Sequence, residues 1–227
     1  MKTTLKSTVC KALSVIVAVL WLSVAGSSQI VIDKTVATVD DGTGSTELIT
    51  YSDLLWTLAM QPKIPIDPPS PEDLNRALEI VINQRLIAIE AKRLPSSPPT
   101  EEQIAREINR ILETFPSTAE FEKRLRLVGF ESVKDDNFER MMEERVKIER
   151  YLDFRFRSFV VITNDDTRRY YDETFAPDFR RRYPGLLIPT FQNKLLEINE
   201  ILSELRVAEN IEQFLDEARQ RAEIAIL

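Results

Sequence analysis

The stretch LNRALEIVINQRLIAIEAK, residues 74–92, indicates the class of fold because its apolar residues recur at steps of three and four. This spacing puts them on one side of an α-helix. The side consists of Leu74, Leu78, Val81, Ile82, Leu86 and Ile89, with Arg85 among them. Glu79, Gln84 and Lys92 fall largely elsewhere on the helix. The pattern therefore predicts a long helix with one face buried in a core.

Helix starts are marked by a capping residue that is followed three positions later by an acid or an amide. The pairs are Thr50–Asp53, Ser70–Asp73, Thr100–Gln103, Ser117–Glu120, Ser132–Asp135 and Thr163–Asp166. They predict about six helices. Gly129 marks a helix end. Two further helical patterns follow at 191–205 and 208–221.

Both ends of the chain carry short β patterns. Residues 30–39 and 47–50 are rich in Val, Ile and Thr and flank a hairpin loop at 40–44, and residues 222–227 alternate like a strand. A single short strand is not stable alone, and the hairpin is the other β material in the sequence. We therefore predict a mostly α fold in which a small sheet joins the N-terminal hairpin to the C-terminal strand.

The composition argues against several classes of function. The chain has 227 residues, 30 basic and 37 acidic, one Cys and no His. A net charge of −7 disfavours nucleic acid and anionic lipid as partners. Zinc sites draw chiefly on Cys and His, and no glycine-rich phosphate loop or GxSxG motif occurs. We therefore predict no metal, no cofactor and no enzymatic activity.

The N-terminal sequence predicts a cleavable export signal at residues 1–26. Lys2, Lys6 and Lys11 precede an apolar run at 12–25, and small residues at 24–27 suit a signal peptidase. The run is shorter than the roughly 20 residues of a membrane-spanning helix, although retention as an anchor is the alternative. Cleavage would remove Cys10 and leave 27 basic and 37 acidic residues, a net charge of −10.

The order and spacing of several segments resemble the core domain of SurA-type periplasmic chaperones. The segments are the strand 32–39, the helix entry 49–54, the helix 78–91, the run from Phe156 to Tyr171, and the closing residues 214–219 with the final strand. The resemblance covers roughly 31–175 and 206–227. It implies one core domain made of the N-terminal helices together with the C-terminal helix and strand.

In that family, parvulin-type prolyl isomerase domains are inserted between the two parts of the core. Here only residues 176–190 separate them, which is too short for a domain, and the parvulin site depends on histidines that this chain lacks. The resemblance therefore implies client binding without isomerisation. The expected division is a signal at 1–26, a helical chaperone domain at 27–175, a connection at 176–190, and a completing segment at 191–227.

The resulting expectation is a non-catalytic periplasmic chaperone that holds apolar segments of exported, for example outer-membrane, proteins. Candidate contact residues are Trp56, Met60, Phe130, Met141 and Met142, although each of them taken singly fits core packing better. The alternative is a periplasmic scaffold subunit that binds one folded partner. A homodimer that exchanges the terminal strand is a further hypothesis.

A basic cluster, Arg180-Arg181-Arg182, ends the main helical pattern just before Tyr183-Pro184-Gly185. Guanidinium groups suit an acidic or phosphorylated partner. Cations are also favoured at a solvated helix end. The sequence leaves both interpretations open.

Overall fold

The fold is mostly helical with a small sheet, as predicted. The structure is a computed structural model that describes residues 33–42 and 46–227. The predicted signal and the first residues of the predicted strand at 30–32 lie outside the described residues. The elements are β1 (Thr35–Asp40), β2 (Thr46–Thr50), α1 (Tyr51–Ala59), α2 (Pro71–Lys92), α3 (Glu101–Leu112), α4 (Thr118–Leu127), α5 (Asp136–Leu152), α6 (Asn164–Tyr170), α7 (Ala176–Arg182), α8 (Phe191–Arg221) and β3 (Glu223–Ile226).

The sheet has the strand order β2-β1-β3, and both pairings are antiparallel. Ala37 of β1 lies opposite Ile49 of β2 and Ile226 of β3, and Val39 lies opposite Ile224. Ala37, Val39 and Ile49 are fully buried. The prediction that the C-terminal strand joins the N-terminal hairpin is therefore confirmed.

A first core lies between the sheet, α1, α2 and the C-terminal half of α8. From α2 it takes Leu78, Val81, Ile82, Leu86 and Ile89, which belong to the face that the apolar spacing predicts. α8 contributes Val207, Phe214 and Ala218. The C-terminal helix and strand thus complete the same core as the N-terminal elements.

A second core lies among α3, α4 and α5. Its centre is formed by Phe121, Leu125, Phe138 and Met142, all fully buried. The Phe121 ring lies 5.8 Å from that of Phe138 between centroids, in an edge-on contact. α1 lies between the two cores, because it buries Leu54 and Leu58 in the first and packs other side chains against the second.

Five of the six predicted helix starts are confirmed. Thr50, Ser70, Thr100, Ser117 and Thr163 are N-caps whose hydroxyls accept a backbone N–H three residues on. The start at Ser132 is wrong, because α5 begins three residues later. Asp135 is the cap there, and its carboxylate accepts the N–H groups of Asn137 and Phe138. Ser132 instead accepts from Lys134 within the preceding turn.

The two C-terminal helical patterns form one helix, α8, and not two. No Gly or Pro interrupts residues 191–221, so the backbone has no reason to break. Helical turns of the π type, Asp153–Arg157 and Tyr171–Phe175, follow α5 and α6. Residues 164–182 are consequently one unbroken helical run that extends into the predicted connection at 176–190. Over the described residues, every helix is too short or too polar to span a bilayer.

Candidate functional site

A groove runs between α2 and α5, and we call it the α2/α5 groove. It consists of two clefts, of about 640 and 1110 Å³. Both are lined by Ala88, Glu144 and Ile148, so they are adjacent. The wall from Val81 to Lys92 is roughly 17 Å of helix at 1.5 Å per residue. A polypeptide in extended conformation would cover this length with about five residues.

One end of the groove is lined by four of the five predicted contact residues. They are Trp56, Met60, Phe130 and Met141. The Trp56 and Phe130 rings lie 5.1 Å apart between centroids, and the Trp56 Nε1–H donates to the Val128 carbonyl at 3.0 Å. Trp56, Met60 and Met141 are half-buried, whereas Phe130 is buried and offers the groove little surface. Contact of these residues with a client stays a prediction.

Met142, the fifth predicted contact residue, does not line the groove. It is fully buried in the second core. Neighbouring residues on a helix point about 100° apart, so Met141 and Met142 face different surroundings. Met142 is therefore a packing residue, and the expectation that it contacts clients is wrong.

The other end of the groove carries apolar residues that the sequence analysis missed. Leu94, Pro95, Pro98 and Phe154 line it. The Phe154 side chain is 58% exposed, and its ring lies 6.2 Å from the exposed ring of Phe159 between centroids. Phe154 lies between the charged residues Asp153 and Arg155 in the π-type turn that follows α5, and an apolar residue in such a polar stretch was an indication of this surface.

Charged side chains on α5 are paired with one another. Lys147 donates to Glu143 at 2.9 Å and to Glu144 at 2.8 Å, and these bonds raise the pKa of Lys147. Arg145 donates to the buried carboxylate of Glu107 at 2.9 Å. The charges around the groove are thus largely neutralised locally and leave its apolar ends as the surface available for contact.

Arg85 lies in the wall of the groove on α2. Its Nη2 donates to Asp53 at 3.1 Å. Its Nε is enclosed and is the one buried side-chain polar atom of the described residues without a hydrogen-bond partner. A buried donor without a partner is energetically costly.

The carboxylate at the predicted helix start Thr163–Asp166 has a structural partner. Asp166 accepts from the Thr163 hydroxyl and the Thr163 N–H, which lower its pKa, and it caps α6. In residues 33–42 and 46–227 no group of three or more Cys, His, Asp or Glu side chains is placed to hold a metal ion. The α2/α5 groove is the candidate functional site in this part of the chain.

Comparison with known proteins finds no matching family model and no significant match among curated proteins. The likeness to SurA-type chaperones therefore remains a prediction from the order of segments.

Proposed function

We propose that the protein is a non-catalytic periplasmic chaperone that holds extended apolar segments of unfolded exported proteins in the α2/α5 groove. The observation that carries this proposal is a pair of adjacent clefts along α2 and α5 with accessible apolar side chains in each. Export rests on the predicted signal, and the class of client rests on the resemblance to SurA-type chaperones. Outer-membrane proteins are the clients that this resemblance suggests.

The side chains at the Trp56 end suit clients of many sequences. Methionine has three rotatable bonds and a polarizable sulfur, so Met60 and Met141 can adapt to different side chains. Trp56 supplies a large apolar surface that is fixed by its bond to Val128. Flexible, methionine-containing surfaces are typical of promiscuous binding.

The shape of the groove favours a polypeptide over a small molecule. Small-molecule sites enclose most of the ligand and direct a few fixed polar groups at it. Here two adjacent clefts share one wall, and Glu143 and Glu144 form ion pairs with Lys147. An extended chain can place apolar side chains at both ends and leave its polar backbone near the charged walls.

Aggregation of an unfolded client tests the proposal. An outer-membrane β-barrel protein is diluted from urea with the chain from Ser27, the expected product of signal cleavage, which contains every described residue. We expect light scattering to fall at near-stoichiometric ratios, whereas an acidic globular protein of similar size should have no effect. Unchanged scattering, together with capture of one folded partner, would instead support the scaffold alternative.

A further inference from the structure

Residues 164–206, which we call the arm, form a helical hairpin. The run 164–182 packs against the N-terminal half of α8 around Thr167, Ala176 and Ile198, which belong to neither core. A row of aromatic rings, Tyr171, Phe175, Phe179 and Tyr183, follows this run with centroid distances of 5.0–5.9 Å. The Tyr171 hydroxyl donates to the Pro189 carbonyl at 2.7 Å. These contacts fix the loop 183–190 at the tip of the arm.

The tip presents two adjacent leucines to solvent. Leu186 is 64% exposed and Leu187 is 94% exposed, so the second makes almost no contact with the protein. Gly185 precedes them with a φ of 91°, a value that glycine adopts readily. A turn thus projects both apolar side chains outward.

Basic residues flank these leucines in the sequence although the chain as a whole is acidic. Residues 179–196 contain four basic residues and no acidic residue. Arg181 pairs with Asp178 and Lys194 with Glu197, each of them outside that range. Arg180 and Arg182 have no ion pair with any described residue, and both are exposed. The tip therefore combines unpaired positive charge with exposed apolar surface.

We propose that the tip of the arm docks on a bilayer that contains anionic phospholipid. Leu186 and Leu187 would enter the boundary between headgroups and acyl chains, and Arg180 and Arg182 would bind phosphate groups. Tyr183, at the base of the loop, suits the polar–apolar interface. The side chain of Leu187 projects into solvent, which suits insertion into a surface better than the seating of a peptide. This docking is independent of client holding in the groove.

The acidic net charge of the chain is consistent with contact between the membrane and the tip alone, and not with contact over the whole protein surface. The chain from Ser27 has 27 basic and 37 acidic residues, and its charge of −10 repels an anionic surface overall, so adsorption over the whole protein is disfavoured. Surface charges more than a Debye length away, about 10 Å at 0.1 M salt, are largely screened. The local charge of the tip would then determine contact, and the interaction should weaken as salt rises.

Vesicle flotation with the chain from Ser27 tests the proposal. Vesicles of phosphatidylglycerol and phosphatidylethanolamine should bind the protein, and vesicles of phosphatidylcholine should not. The double variant Leu186→Ser/Leu187→Ser should bind at least tenfold more weakly. Arg180→Gln/Arg182→Gln should bind roughly thirtyfold more weakly, at about 1 kcal/mol per arginine. Leu127→Ser, which changes an exposed leucine on α4, is the matched control and should bind like the parent.

Equal binding by the parent and both tip variants would overturn the proposal, as would equal binding to the two kinds of vesicle. Client holding should be unchanged in the tip variants, because they leave the groove intact. If the tip variants lose client holding but keep vesicle binding, the tip contacts polypeptide. That result would also overturn the proposal of membrane docking. Circular dichroism of each variant confirms that the fold is retained.

Discussion

The double variant Met60→Asp/Met141→Asp is expected to lose client holding while keeping its fold. Both methionines line the Trp56 end of the groove and are half-buried, so the introduced carboxylates remain partly hydrated. A bound apolar segment would have to desolvate these charges and would lose two apolar contacts. At about 1.5–3 kcal/mol for each buried methionine, binding should weaken about a hundredfold or more.

Leu127→Asp is the matched control for this experiment. It places the same charge on an exposed apolar residue at the end of α4, outside the groove. Aggregation assays at a fixed client concentration should show suppression by the parent and by this control only. If the double variant suppresses aggregation as well as the parent does, the groove does not hold the client.

The largest expected effect on stability comes from Arg124→Met. The Arg124 guanidinium donates to the carbonyls of Leu58, Ala59, Gln61 and Ile64 at 2.8–3.1 Å. These carbonyls lie at the C-terminal end of α1 and in the turns that follow, where helix geometry leaves carbonyls without partners. α1 has no basic residue of its own in its last turn. The Arg124 guanidinium from α4 therefore supplies hydrogen-bond donors to these carbonyls and places a positive charge at the negative end of the α1 dipole.

Burial makes this arrangement sensitive to substitution. The Arg124 side chain is half-buried, and this desolvation lowers the pKa of its guanidinium. Methionine keeps the apolar stem but removes all four bonds. The Leu58 and Gln61 carbonyls still accept backbone N–H groups, whereas the Ala59 and Ile64 carbonyls lose their Arg124 donor. We expect the free energy of unfolding to fall by about 3 kcal/mol. Urea denaturation followed by circular dichroism measures this loss.

Arg126→Met tests whether the effect is specific to these four bonds. Arg126 lies two residues further along α4, is exposed, and approaches only Glu122, at 3.9 Å. Exposed ion pairs contribute little to stability, so the free energy of unfolding of Arg126→Met should differ from that of the parent by less than about 0.5 kcal/mol. Similar losses for both variants would contradict the proposed role of Arg124.

Local features of the sequence predicted most of the elements. Caps such as Thr100 act on the N–H groups of the next few residues, so their effect is visible without tertiary structure. The pairing of β3 with β1 was predictable because the sequence offered one other β region. Ser132 failed as a cap because Asp135, also a good capping residue, lies where α5 begins.

Features that depend on packing could not be predicted in the same way. The apolar pattern of α8 looked interrupted because its N-terminal half packs within the arm and its C-terminal half in the first core. Met141 and Met142 are adjacent and chemically identical, and only the position of the second core separates them. The groove itself depends on which faces of α2 and α5 are left uncovered by other helices, and that is a property of the assembled fold.

Emission from Trp56 tests the central proposal most directly. Trp56 is the one tryptophan of the chain from Ser27 and lines the groove. An unfolded outer-membrane segment without tryptophan is added to this chain at increasing concentration. We expect a blue shift that saturates at one segment per chain and is absent in Met60→Asp/Met141→Asp. Suppression of aggregation without any change in Trp56 emission would contradict binding in the groove.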